Sequence, residues 1–215
     1  MAIQTQARDE ILEHATRTKQ LVQDPSSFLT EFLVQQQQYA SLRWLLHFDI
    51  LSKIPKSPSG ISYVNLARLA GVPETTLQAV ARMAMTSGFL AETPEGYLSH
   101  NALSSAIIED RHLSHWLHYI VKHTVPLMSC LIPAVEKWGD SKQSNHTAYN
   151  IMGDTDLPFF EFLKSRPDLS TEFDAYMESQ AVIHSGTRID HLLQGFDWAA
   201  LEEAVVVDVS FLQRI

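Results

Sequence analysis

The chain has 215 residues, 45% of them hydrophobic and 19% charged, and 25 acidic against 16 basic residues give it a net charge of −9. Such a composition supports a real core and argues against disorder, while a surface of this sign repels a phosphate backbone unless its cations cluster, and here they are scattered. The lone cysteine, Cys130, excludes an internal disulfide and makes a reducing, cytoplasmic setting the expectation; no apolar run approaches the roughly 18 residues of a membrane span.

Arg8, Asp9, Glu10, Glu13, Arg17 and Lys19 interrupt the apolar positions of the N-terminal stretch, which predicts a polar amphipathic helix to about Val22 rather than a signal core. Asp24, Pro25 and Ser26 punctuate the chain, and Phe28, Leu29, Phe32 and Leu33 resume with helical spacing. Leu42, Leu45, Leu46 and Ile50 follow an i, i+3, i+4, i+8 pattern that predicts one buried face. A Pro- and Ser-rich loop over residues 55–60 leads to a short helix over 65–70, ended by Gly71. Pro73 suits the first turn of the next helix, whose core face is Leu77, Val80, Ala81 and Ala84 and which Gly88 stops. Phe89 and Leu90 pair with Tyr97 and Leu98 across a turn at residues 94–96, as a small hairpin.

Helix, turn, helix and hairpin in this order make a winged-helix module. A DNA reader carries basic and amide groups on the second helix and a basic wing. This helix offers Glu74, Thr75, Thr76, Gln78 and Arg82, and the hairpin adds Glu92 and Glu95, so a packing or dimerisation platform fits better and no nucleic-acid partner is expected.

Leu113, Trp116, Leu117, Ile120 and Val121 predict a further amphipathic helix, with Pro126 and Pro133 interrupting what continues. After a polar stretch over 139–148 come Phe159, Phe160, Phe162 and Leu163, then Pro167, then a helix carrying Phe173, Tyr176 and Met177. The last helix is expected near 182–193, ending at Gly195. Val205 to Val209, reading VVVDV, has the continuous apolar character of a parallel strand buried on both faces. Six residues later the chain stops at Ile215.

No complete set of catalytic groups emerges. His112, His115, His118 and His123 lack the i, i+4 spacing that lets two imidazoles share a zinc ion, so solvated or interface histidines are expected and no metal. Ser, His and Asp never form a nucleophile elbow, and His184, Ser185 and Gly186 take no role from spacing alone. Cys130, beside Leu131 and Ile132, reads as an inert buried thiol. The aromatic and methionine stripe of Phe159, Phe160, Phe173, Tyr176 and Met177 is ordinarily core; its sharper alternative is the lining of a pocket for a flat aromatic substrate, with Phe160, Tyr176 and Met177 as candidate substrate-binding residues.

Taken together, LLHFDILSKIP (45–55), ISYVNLARLAGVP (61–73), the GFL hairpin (88–98), PFFEFLKSRPDL (158–169), FDAYM (173–177) and GFDWAALEEAVVVDV (195–209) resemble the fungal O-methyltransferases of secondary metabolism, relatives of the plant caffeate and flavonoid enzymes. The resemblance implies a mainly α chain: a helical, winged-helix dimerisation region over 1–110, a helical substrate-lid region over 111–200, and over 201–215 the first strand of a Rossmann-like S-adenosylmethionine (SAM) domain whose remainder is missing. Asp208 then marks the stump of the cofactor strand. Where the family has a glycine-rich turn that lets backbone approach the cofactor, this chain has Ser210 and Phe211, so the fragment is expected to be truncated and not to bind SAM.

Three functions compete. The leading one is an O-methyltransferase-like protein of a polyketide-type pathway, keeping the dimerisation and substrate half for a small aromatic or polyketide substrate and lacking methyl transfer by itself. A non-catalytic protein would instead pair with itself or with a full-length methyltransferase. A cofactor-independent cyclase derived from the same fold would use the aromatic stripe to shelter its substrate.

Overall fold

A computed structural model describes residues 2–183 and 195–201. The expected strand at 205–209 with Asp208, the tail with Ser210 and Phe211, and most of the helix expected near 182–193, including His184, Ser185 and Gly186, lie outside the described residues. Those described are helical apart from one antiparallel hairpin, as the sequence predicts. The chain divides into two compact units, residues 1–110 with 120–129, and residues 111–119 with 130–215.

The first unit starts with α1 (Ala2–Val22) and α2 (Pro25–His47). Asp24 caps α2 by accepting the amides of Ser26 and Ser27 at 2.9 and 3.1 Å, with Pro25 in the first turn. These bonds, led by those from the two seryl hydroxyls and the Ser27 amide, hold the Asp24 carboxyl far below the usual carboxylate range. Lys19 of α1 and Gln23, just after it, both reach Glu31 of α2. Phe28, Leu29, Phe32 and Leu33 have the expected helical spacing but are each more than half exposed; burial along α2 begins in earnest at Leu45, which is fully enclosed. Asp49, in the left-handed region at φ 50°, separates α2 from the single turn α3 (Ile50–Lys53).

α4 (Tyr63–Ala70) is capped by Ser62 and ends at Gly71. In α5 (Glu74–Met85), Pro73 is the extended residue just outside the helix rather than part of its first turn. That placement uses the fixed φ of proline without asking it for an amide hydrogen. The core face is as expected: Leu77, Ala81 and Ala84 are buried and Val80 is partly so. The helix ends at Met85, before Gly88, and the hairpin is displaced from the expected positions, with β1 (Ala91–Glu92) and β2 (Leu98–Ser99) pairing Ala91 with Ser99 and Glu92 with Leu98. Phe89 and Leu90 are instead core residues; their apolar character reports burial rather than strand pairing.

Ile61 adds a third short rung to this hairpin by exchanging two backbone hydrogen bonds with Leu98, each 2.9 Å. Gly60 makes the approach possible: its φ is +64°, and a Cβ there would stand 2.6 Å from the Leu98 carbonyl oxygen. α6 (Ala102–Glu109) opens with a capping box in which the Asn101 side chain and Ser104 each satisfy the other's backbone amide.

The chain then gives α7 (Arg111–Tyr119) to the second unit and returns to the first with a π-helical turn, Ile120–Thr124, and α8 (Val125–Met128). The single helix expected through Ile120 and Val121 is therefore interrupted. Pro126 has no N–H for the Lys122 carbonyl, so the α-helical ladder cannot run through this point. Tyr39 of α2 donates its hydroxyl hydrogen to the Val121 carbonyl at 3.0 Å.

In the second unit, α7 is joined by α9 (Leu131–Trp138), α10 (Ala148–Gly153), α11 (Phe159–Ser165), α12 (Pro167–Ile183) and a 3-10 turn, Trp198–Leu201. Cys130 precedes α9 and is half-buried, not enclosed as expected. Its apolar neighbours Leu131 and Ile132 face solvent, so this stretch is not a core segment.

Candidate functional site

In the second unit α11 and α12 place aromatic rings on a shared face because Phe159, Phe162 and Phe173 recur at helical spacing on either side of Pro167. Phe162, Leu163 and Leu169 form the buried base of this cluster. Gly153 at the end of α10 leaves room for it; a Cβ there would stand 3.2 Å from the Phe162 ring. Above the base, Phe159 lies edge-on to Tyr149 at 4.5 Å and to Phe173 at 5.2 Å between ring centroids. Tyr119 of α7 stacks on Tyr176 of α12 at 4.3 Å with the planes 9° apart. Edge-to-face and offset contacts of this kind add about 0.5–1.5 kcal/mol per pair beyond the area they bury.

The three residues read from the sequence as candidate substrate contacts occupy different parts of this cluster. Phe160 touches Phe159 at 5.1 Å and Phe173 at 6.5 Å, and is 54% exposed. Tyr176 is half-buried beneath Tyr119, and lies 6.5 Å from Phe173. Met177, next to it on α12, is 37% exposed. Phe173 links Phe160 to Tyr176, so these two sit on one continuous aromatic face. Tyr119 and Tyr149 complete that face and were not legible in the sequence; Tyr119 closes a helix whose apolar spacing runs through Leu113, Trp116 and Leu117 and passes it by. Burial pushes the Tyr119 phenol well above its ordinary value, helped by Tyr149, Tyr176 and Glu172, and burial raises the Tyr149 phenol as well. Both are neutral hydroxyls at physiological pH, suited to walls and hydrogen bonds rather than to proton transfer.

Elsewhere in the second unit, Arg111 and Glu178 join α7 to α12 through an exposed ion pair at 2.7 Å. His118 holds the Ser114 carbonyl through Nδ1 at 2.8 Å. Among the described residues no group of three or more His, Cys, Asp or Glu is placed to hold a metal ion.

In the first unit, Arg82 is the one basic residue of α5 and pairs with Glu92 of β1 at 2.9 Å, while the Tyr63 hydroxyl donates to the same carboxylate at 2.6 Å. The Arg82 bond, then that from Tyr63, holds Glu92 below its ordinary value. The one cation of α5 is thus engaged by β1 of the hairpin. Two shallow grooves, of about 430 and 200 Å³, run along α1 and α2 and are lined by Gln20, Gln23, Phe28 and neighbouring side chains.

A SAM site needs a glycine-rich turn after a parallel strand. The described sheet is an antiparallel hairpin, and the described glycines with positive φ stand at helix ends, before the Ile61 rung or in the hairpin turn. The segment in which the sequence places such a strand, 205–209, lies outside the described residues.

The helical architecture is that of O-methyltransferase folds. It superposes on OxaC in complex with sinefungin and meleagrin with a TM-score of 0.70 at 14% identity, covering 80% of this chain and 44% of that one. For a LepI complex with SAM the TM-score is 0.69 at 16% identity, covering 80% and 45%. At such identities the likeness is one of fold.

Sequence relatives are closer. The chain is 55% identical over 203 residues to O-methyltransferase fsr2 of Gibberella fujikuroi, a match covering 94% of this chain and 52% of that protein. To O-methyltransferase VdtC of Byssochlamys spectabilis it is 42% identical over 206 residues, covering 96% and 47%. No family model matches the chain. The resemblance to fungal O-methyltransferases is thereby borne out across nearly the whole of this chain, which spans about half the length of the curated relatives it matches.

Proposed function

We propose that these residues form the dimerisation and substrate-enclosing half of a SAM-dependent O-methyltransferase acting on a small aromatic or polyketide substrate. The 55% identity over 203 residues to fsr2 carries this reading. Residues 1–110 serve as the dimerisation region and 111–200 as the substrate-enclosing one, with Phe160, Tyr176 and Met177 as the substrate wall. Methyl transfer needs the sulfonium carbon and the substrate oxygen held in line at contact distance. An aromatic face can orient a flat ring, but it supplies neither the electrophile nor a base for the hydroxyl proton. The 215 residues by themselves accordingly do not bind SAM. Calorimetric titration of the purified chain with SAM is expected to give no binding heat; micromolar affinity would overturn this.

A second reading, a non-catalytic partner in the cytoplasm that pairs with itself or with a longer methyltransferase, is favoured by the apolar stripe of Phe28, Leu29, Phe32 and Leu33, exposed along α2. Contiguous apolar surface of this kind marks an interaction site. In both readings the chain is a dimer in light scattering, and replacing Leu29 and Phe32 by glutamate gives a monomer. A clean monomer of the unaltered chain removes α2 as a self-association surface. Among the described residues no helix is long and apolar enough to cross a membrane.

A further inference from the structure

Gln180 carries a polar group that none of the described residues uses. Its Nε2 is sealed from solvent and has no hydrogen-bond partner among the described residues. A buried donor left unmatched is rare and destabilising, and asks for a reason. Gln180 stands at i+7 from Phe173, i+4 from Tyr176 and i+3 from Met177, which puts it on the aromatic stripe of α12. Side chains on an α-helix lean toward its N-terminus, so the amide is carried back over the turn that holds Tyr176 and Met177. Ser179, its fully buried neighbour, has a partner in the Ala175 carbonyl at 2.7 Å, and Arg111 and Glu178 satisfy one another. Among these neighbours on α12, the donor without a partner is that of Gln180.

We infer that Gln180 is the polar anchor of the aromatic face: its side chain turns out of its covered position so that the amide donates to an oxygen acceptor, a carbonyl or phenolic oxygen, on a flat aromatic ligand laid against Tyr176 and Met177. This rests on the reading of that face as a substrate wall and adds to it the residue that reads ligand polarity. Apolar rings alone accept any flat hydrocarbon. One buried donor makes the wall discriminate, because a ligand lacking the oxygen leaves the amide unpaired.

Fluorenone and fluorene, flat ligands differing in one carbonyl oxygen, test this with the full 215-residue chain. The unaltered chain is expected to bind fluorenone about tenfold more tightly, the effect of one hydrogen bond to an otherwise unsatisfied donor. In Gln180→Met, a substitution of similar length, the preference disappears while fluorene affinity is kept, and the thermal midpoint rises because the unmet donor is gone. Tyr176→Ala weakens both ligands alike. If Gln180→Met keeps the fluorenone preference or melts at a lower temperature, the amide is not the reader and the inference fails, with the wall intact. If the unaltered chain binds neither compound, the substrate-wall reading itself fails and takes the inference with it.

Discussion

Gly60→Ala tests how the Ile61 rung is joined to the hairpin. The substitution forces a side chain into the left-handed region, which costs roughly 1–2 kcal/mol. It also drives a Cβ to 2.6 Å from the Leu98 carbonyl oxygen, which belongs to the backbone and cannot swing aside as a flexible side chain would. Relief requires Ile61 and Leu98 to separate, and with them go two backbone hydrogen bonds of 2.9 Å, each worth about 0.5–1.5 kcal/mol net. The expected loss is about 2–5 kcal/mol, which for a urea dependence of about 2 kcal/mol per molar lowers the unfolding midpoint by roughly 1–2.5 M. Gly96→Ala is the control. Its φ is +80° but an added Cβ meets nothing within 4 Å, so only the conformational strain of about 1–2 kcal/mol remains. Urea titrations of both variants, with hydrogen exchange at the Ile61 and Leu98 amides, separate the two contributions. Equal losses in the two variants, or retained protection at Ile61 in Gly60→Ala, refute the close-approach argument.

Asn101→Ala removes a side chain that caps α6 through the Ser104 amide and donates to the Gly88 and Leu90 carbonyls at 2.6 and 3.1 Å; a loss of about 2–4 kcal/mol in urea unfolding is expected, from the cap and the carbonyls left unpaired. His100 is set between the Leu51 carbonyl at Nε2, 3.1 Å, and the Ser104 hydroxyl at Nδ1, 3.0 Å, an arrangement that suits a neutral ring donating through Nε2. Burial holds its pKa below the ordinary 6.5, against the opposing pull of the Leu51 carbonyl and Glu109. The unfolded chain therefore binds this proton first, and the stability His100 contributes is complete above about pH 6.5, then declines as pH falls through the lower folded value. His100→Gln keeps a donor for Leu51 without a titrating ring, and the slope of unfolding free energy against pH below 6.5 should flatten relative to the unaltered chain; an unchanged slope removes His100 as its source.

The first unit was the more legible because its core obeys local periodicity. The positions of Leu45 and Ile50 on α2 and α3, and of Leu77, Ala81 and Ala84 on α5, follow from spacing alone, since each helix presents one face to a common interior. Phe89 and Leu90 are ambiguous in the sequence, because a short apolar pair before a turn has the same pattern whether it is a strand or a core plug. The π-helical turn at Ile120–Thr124 follows from Pro126, but a proline in sequence announces an interruption without fixing its form. The half-buried setting of Cys130 is not legible in the sequence, because apolar neighbours suggest burial whereas Leu131 and Ile132 are exposed. In the candidate site, the α12 stripe through Phe173, Tyr176 and Met177 was visible as spacing. Its partners Tyr119 and Tyr149 come from distant helices, and no local pattern brings those together. Gln180 could not be singled out at all, because an unmet donor is a property of the packed state.

Packing differs in kind between the units, and the difference bears on ligand binding. Among the described residues, the apolar side chains exposed by less than 2% all fall between Leu45 and Leu98, so the first unit encloses a core of its own. In the second unit Phe162, Leu163 and Leu169 keep some exposure, and the rings of Phe160 and Trp198 and the Met177 thioether remain open to solvent. Apolar surface left open can be covered later, at about 25 cal/mol for each Å² removed from water. A flat ligand on Phe160, Tyr176 and Met177 would recover that energy in the second unit and none in the first. Since binding to the folded form alone raises stability, fluorenone should slow hydrogen exchange in α11 and α12 while leaving α4 and α5 unchanged. Protection spread evenly over both sets of helices would place the ligand elsewhere than on the aromatic face.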